Sequence, residues 1–166
     1  MTPRLLLLAG LLALGGVQAQ QAAPPVPAGS GPGVHSPNSP FAPLPARSDV
    51  VPWSVLTDVT TKPDAKNRLL PNFKKEQLAL NQRKQRIQGF MMPLQPGEKQ
   101  THFLLSSVPL TCAFCTPGGP ESMVEVKARS PVAYTLDPVT VEGTFAVLND
   151  DPYGMFYRVT DAVTVK

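Results

Sequence analysis

The residues of this chain best suited to chemistry are Cys112 and Cys115, its only cysteines, set in Cys112-Ala-Phe-Cys115. Three uses fit them. Thiol–disulfide exchange needs a thiolate whose pKa is lowered, usually at a helix N-terminus. Here Pro117-Gly118-Gly119-Pro120 follows, a poor start for a helix, and no βαβ pattern surrounds the motif. A structural disulfide is the ordinary fate of an even cysteine count in an exported chain, and so short a loop would have its shape pinned more than its fold stabilised. Metal binding is the third use, for which two thiolates supply half of a tetrahedral zinc site. With a hairpin turn centred near Gly97-Glu98, Met91 would lie opposite Leu104 and Pro93 opposite His102. Met91 and His102 would then be diagonal neighbours on one face. Cys112, Cys115, His102 and Met91 together would suit cuprous copper, or zinc if a carboxylate joined. Against that, a strand methionine is ordinarily core and a single strand histidine ordinarily a structural hydrogen-bonder. The residues leave all three uses open.

Other catalytic constellations are absent from the sequence. It has no glycine-rich phosphate loop, no nucleophile elbow and no HExxH, so the expectation is a protein that is not an enzyme. Asp150, Asp151 and Asp161 lie close together, but the first two sit beside Pro152 in a turn cluster and read as turn acids. Between Lys62 and Arg86 there are eight lysines or arginines and two acids. No aromatics are interleaved through the run as base stacking requires, so it reads as a solvated face and nucleic acid is not expected.

The elements that must position these residues are mostly strands. Alternation from Gln85 to Gln88 runs into Gly89, where a bulge would re-aim Phe90, Met91 and Met92. Thr101 to Ser106 is a second strand after Pro96-Gly97. Met123 to Arg129 alternates most cleanly, with Val124, Val126 and Ala128 inward and Glu125, Lys127 and Arg129 outward. Val139 to Val147 follows, with Val139, Val141, Phe145 and Val147 on one face and Gly143 as a second bend. The last strand, from Phe156, has Tyr157, Val159, Val163 and Val165 inward. Asp161 breaks that parity and implies a bulge or a satisfied buried acid. Upstream, Val50 to Leu56 forms an apolar knot around Trp53, residues 57–68 read as irregular, and Phe73 to Asn81 as a short helix with Asn72 as N-cap. Phe73, Gln77 and Leu80 would share its inner side. Five strands bent by internal glycines predict a small five-stranded barrel of the oligonucleotide/oligosaccharide-binding (OB) type with a short N-terminal helix. An open β-sandwich is the alternative.

The ends are simpler. Arg4, the apolar run Leu5 to Val17 and Val17-Gln18-Ala19 have the pattern of a secretory signal peptide over residues 1–19. The run is shorter than the roughly 20 residues of a spanning helix, and no cysteine near the cut could carry a lipid. A soluble periplasmic or secreted protein, without a membrane span after cleavage, is expected. Twenty prolines among 166 residues exceed the usual share of about 5%, and eight of them fall between Pro24 and Pro45. Residues 20–49 therefore read as a disordered linker, with His35 a bystander in it, and residues 50–166 as one domain. The formal net charge of +3 is too small to imply a polyanionic partner.

Arg86-Ile-Gln-Gly-Phe-Met-Met-Pro-Leu, His102-Phe-Leu-Leu, Cys112-Ala-Phe-Cys115-Thr-Pro-Gly-Gly-Pro120 and Asp150-Asp-Pro-Tyr-Gly-Met-Phe-Tyr-Arg158 resemble the motifs of the domain of unknown function 3299 family from about Val51 onward. The resemblance implies a short exported bacterial protein without assigned enzymatic activity. It also implies ABC-type transporter components as partners, in some cases within metal-responsive gene clusters. Where that family has an Asp-Gly-type turn and an apolar residue entering the first strand, this chain has Asn81-Gln82 and Gln85. The expectation is an exported, non-enzymatic accessory domain that handles or senses zinc or copper for such a transporter. The alternatives are a structural or interaction domain whose Cys112–Cys115 pair is a disulfide presenting Phe114 to a partner, and a thiol–disulfide oxidoreductase.

Overall fold

The structure, a computed structural model, describes residues 31–166. The signal peptide expected at residues 1–19 and the first part of the linker lie outside the described residues. In chain order the elements are α1 (Trp53–Leu56), β1 (Thr60–Pro63), β2 (Leu69–Asn72), α2 (Lys75–Leu78), β3 (Arg83–Pro93), β4 (Lys99–Ser106), β5 (Met123–Ala133), β6 (Val139–Val147) and β7 (Tyr157–Val165). A 3-10 turn, Pro120–Ser122, leads into β5.

The last five strands close into a barrel in the order β3-β4-β5-β7-β6. All neighbours are antiparallel except β5 and β7, which run parallel. This is the five-stranded OB-type arrangement expected from the sequence. Closure falls on β3. Its first half, Arg83 to Gly89, pairs with β6, and its second half, Phe90 to Pro93, pairs with β4. The change of partner occurs at Gly89, where an added Cβ would lie 2.8 Å from the Ser106 carbonyl oxygen. Glycine is required there because two backbones meet; the pairing shows a handover between partners instead of the expected bulge.

The core lies inside the barrel. Ile87, Phe103, Leu105, Val124, Val126, Val141, Phe145, Tyr157, Val159 and Ala162 have essentially no exposed surface. Phe73, Phe145, Phe156 and Tyr157 stack at tilted and edge-on angles with centroids 5.5 to 6.5 Å apart, which suits the ring quadrupole. The Tyr157 hydroxyl donates to Leu56 O at 2.7 Å, tying the end of α1 to the core. Burial drives the Tyr157 phenol pKa upward, and nearby Glu121 adds to the rise. Trp53 packs against the same core and its Nε1 donates to Gln88 O at 2.8 Å.

In β7, Asp161 sits at φ +51 and the register with β6 shifts beside it. The expected bulge is therefore present. Past it the parity changes, so Ala162 faces the core fully buried in place of Val163. Gly143 accommodates the bulge: a Cβ there would meet Thr160 O at 2.5 Å and Ala162 Cα at 3.0 Å.

Three upstream expectations change. Residues 57–68 are not irregular, because β1 and β2 form a hairpin from Thr60↔Asn72 to Pro63↔Leu69. Its strands are largely exposed, so no buried face marks them in the sequence. Asp64 makes the turn instead, its Oδ1 accepting the Lys66 and Arg68 amides. The helix expected over Phe73–Asn81 is one turn, Lys75–Leu78, begun at Lys74 instead of Asn72. Gln77 Oε1 accepts the Lys74 amide, while Nε2 donates to Val55 O and Asp58 O. The inner side is as read, since Gln77 is buried and Phe73 and Leu80 pack on the core. Asn81-Gln82 then performs the work of an Asp-Gly turn: Asn81 Oδ1 accepts the Val147 amide and Gln82 adopts φ +58. Strand β3 accordingly starts at Arg83, ahead of Gln85.

The described part of the segment read as linker, residues 31–49, has defined contacts with the barrel. Gly33 N donates to Thr116 O, and Ser107 Oγ donates to Gly33 O. Arg47 pairs with Asp49 and donates to the Lys166 carbonyl, and Asp49 pairs in turn with Arg86. Arg68, Lys74, Lys84 and Arg86 from the basic run are each ion-paired to acids, consistent with a solvated face.

Two substitutions test this packing. Gly143→Ala forces a side chain onto the β7 backbone and is expected to destabilise by about 1–3 kcal/mol. Tyr157→Phe, which removes one buried hydrogen bond, is expected to cost about 1 kcal/mol. Chemical denaturation at constant m-value checks both.

Candidate functional site

Cys112 and Cys115 form a disulfide. Both residues are buried, at 5% and 8% exposure, in a small satellite cluster with Val108 and Phe41. Cys112 Sγ lies 3.3 Å from Ser39 Oγ. The sulfurs are thus covered by Val108 and Phe41, with Ser39 beside Cys112. Phe114, between the cysteines, remains exposed.

The structure does not bring the four expected metal ligands together. The hairpin register is one residue away from the expected one: Met91 pairs with Leu105, Met92 with Leu104 and Pro93 with Phe103. A one-residue slip turns every side chain to the other face. Met91 therefore packs in the core with Phe103 and Leu105, while His102 is on the outer face. A disulfide offers no thiolate to an ion. Among the described residues no group of three or more His, Cys, Asp or Glu is arranged to hold a metal.

What does assemble is on the outside of β4, β5 and β7. Leu104 pairs with Glu125 and His102 with Lys127 across β4 and β5, and Glu125 pairs with Arg158 across the parallel β5 and β7. Glu125 is only 6% exposed although it points away from the core. Its Oε1 accepts from His102 Nε2 at 2.7 Å, and its Oε2 accepts from Arg158 Nε. Arg158 Nη2 then donates to Asp151 Oδ1 at 2.8 Å. Asp151 Oδ2 accepts the Tyr153 and Met155 amides. Burial pushes the Asp151 carboxyl pKa up, but the Arg158 hydrogen bond and the two amides outweigh it and hold it below the usual range. Burial likewise lowers the Arg158 pKa, and its bonds to Asp151 and Glu125 reverse the effect.

This network fixes the β6–β7 loop over the sheet. With the β3–β4 turn it frames an open cleft of about 420 Å³. Leu94 comes from the turn, Tyr153 and Met155 from the loop, and His102, Leu104, Glu125, Lys127 and Arg158 from the strands. Tyr153 is 87% exposed and Leu94 42%. Asp151 is the turn acid read from the sequence, and it also carries an ion pair with Arg158 that the sequence reading did not foresee. Its signal was the arginine seven residues on, in a motif already singled out, but the buried Glu125 that the same arginine bonds comes from a strand far away in sequence.

Fold and cleft together place the chain among small OB-type barrels with a walled face over their second and third strands. It belongs to the DUF3299 family, described as proteins of unknown function, whose family model matches residues 47–155. A crystal structure of a DUF3299 family protein from Pseudomonas aeruginosa PAO1 is similar at 23% identity. The similarity covers 78% of this chain and 89% of that one, with a TM-score of 0.46. None of the curated proteins matches the chain at a significant level.

Two outcomes follow from this geometry. Because the folded Asp151 carboxyl is depressed, its contribution to stability is fully present above the unfolded value of about 3.9 and is lost as pH falls through the lower folded value. Asp151→Asn should therefore flatten the acid limb of stability below about pH 4, as read by denaturation at stepped pH. Cys112→Ser with Cys115→Ser should speed amide exchange over residues 31–41 and leave exchange in β5 and β7 unchanged.

Proposed function

We propose that this DUF3299 protein is an exported, non-enzymatic binding domain that takes its ligand in the cleft over β4 and β5. The observation that carries the reading is the cleft itself, a face walled by two loops and floored by an ion-pair network in which each carboxylate oxygen has a protein donor. OB-type barrels commonly use this face and these two loops for ligands, an analogy of fold to which the cleft adds its own geometry. A volume of about 420 Å³ is in the range of small-ligand sites, about 300–1,000 Å³. The floor is held before any ligand arrives, which lowers the ordering cost of binding.

Export is supported by the leader pattern of residues 1–19 and by the disulfide, which suits an oxidising compartment. Among the described residues no helix is long and apolar enough to cross a membrane. The family resemblance supports ABC-type transporter components as the setting. Delivery of zinc or copper within it would need Cys112 and Cys115 as free thiolates, and for that reason it is not the reading we favour. The disulfide loop is better suited to holding residues 39–41 in place.

A fragment screen by NMR on the purified protein tests the reading. Hits are expected to shift resonances of Leu94, His102, Leu104, Tyr153 and Met155. Hits that cluster on Phe114 and Leu136 instead would overturn it.

A further inference from the structure

Resting on that reading of the cleft, we infer that its ligand is a small monocarboxylate with an aromatic or aliphatic body. The hydrogen-bonding capacity left over in the cleft points to this class. Both oxygens of Glu125 already have donors, from His102 and Arg158. Both oxygens of Asp151 are also taken, by Arg158 and by the Tyr153 and Met155 amides. The acids of the site are therefore committed to the protein.

The cations are not. Arg158 spends Nε and Nη2 on the two acids, and its Nη1 has no hydrogen-bond partner among the described residues. Lys127 is exposed and has no ion pair or hydrogen bond there. Two carboxylates outnumber Arg158 by one and Lys127 brings the cleft to neutrality, so what it offers a ligand is two unspent donors, a guanidinium N–H and an ammonium, and no free acid. A charge-assisted hydrogen bond to a carboxylate is the interaction both groups make best.

The rest of the lining is apolar. Leu94 from the β3–β4 turn and Tyr153 from the β6–β7 loop stand exposed, and Leu104 and Met155 complete the apolar lining. Exposed leucine and tyrosine beside an unpaired lysine match a molecule that is apolar along most of its length and anionic at one end. A nucleic-acid strand fits poorly, since tracking its backbone needs a line of cations and successive stacking rings, and the cleft has one unpaired lysine and one aromatic ring. An inorganic anion would leave the apolar walls in water.

Calorimetric titration of the full protein with phenylbutyrate, phenylbutyramide and phenylbutylamine tests the inference, with NMR shifts of the cleft residues recorded in parallel. The carboxylate is expected to bind about tenfold more tightly than the amide, the worth of one charge-assisted hydrogen bond, and the amine to bind weakest. Lys127→Gln should remove the preference for acid over amide without moving the melting temperature, because the residue is exposed and unpaired. Tyr153→Ala should weaken acid and amide alike. Equal binding of acid and amide, or tighter binding of the amine, would overturn the carboxylate class while the cleft remained the binding site. If none of the three moves Leu94, Leu104 or Tyr153, the inference falls, and the fragment screen decides the binding reading separately.

Discussion

Closing five strands into a barrel obliges each of them to pair on both sides, and the rest of this molecule follows from how β3 divides its length to meet that demand. It pairs with β6 up to Gly89 and with β4 from Phe90 onward, turning where the absence of a side chain lets the Ser106 carbonyl approach. The bulge at Asp161, opposite Gly143, bends β7 in the same way. Once the ring is closed, β5 has to lie parallel beside β7. That neighbourhood sets Glu125 against Arg158, though 33 residues separate them.

A carboxylate as little exposed as Glu125 is tolerable only if its oxygens are matched by donors, because an unpaired buried charge costs several kcal/mol. His102 and Arg158 meet that requirement from the strands on either side. Arg158 in turn meets Asp151 and so transmits the rigidity of the sheet to the β6–β7 loop. Arg68 of the β1–β2 hairpin grips the same loop from outside through Asp150. The cleft is thus an outcome of charge satisfaction: the pairs that make Glu125 tolerable are those that hold Tyr153 and Met155 over the face.

The disulfide acts elsewhere. It closes a loop of very few residues, and the entropic benefit of a cross-link grows with loop length, so its contribution to global stability is small. Its local effect is to present Val108 and the two cysteines as a fixed apolar surface on which Phe41 packs. With the Gly33 and Arg47 bonds, this draws a proline-rich segment of little intrinsic order onto the domain. Composition alone read that segment as a tether up to Asp49, because proline, alanine and glycine show no periodic face. The contacts that seat residues 31–49 are long-range and few per residue.

What the sequence by itself determined is whatever depends on neighbours along the chain. Alternation and turn residues marked the five barrel strands, the inward side of Val124, Val126, Val141 and Phe145 and the break at Asp161, and helical spacing marked the inner face of Phe73, Gln77 and Leu80. The number of strands and their glycine bends were enough for the OB-type barrel. The tertiary structure alone decided register and partnership. A single-residue offset between β3 and β4 sent Met91 inward and left His102 outside, separating a proposed ligand pair that the turn residues had seemed to unite. Glu125 read as an ordinary outward residue, since nothing local to Met123–Arg129 signals an arginine arriving from the last strand. The β1–β2 hairpin was missed for a related reason: its strands bury no face, and only Asp64 and Asn67, at φ +59, shape its turn. Periodicity reports which side of a strand is dry, but which strands lie side by side, and so which charges meet, is set only when the barrel closes.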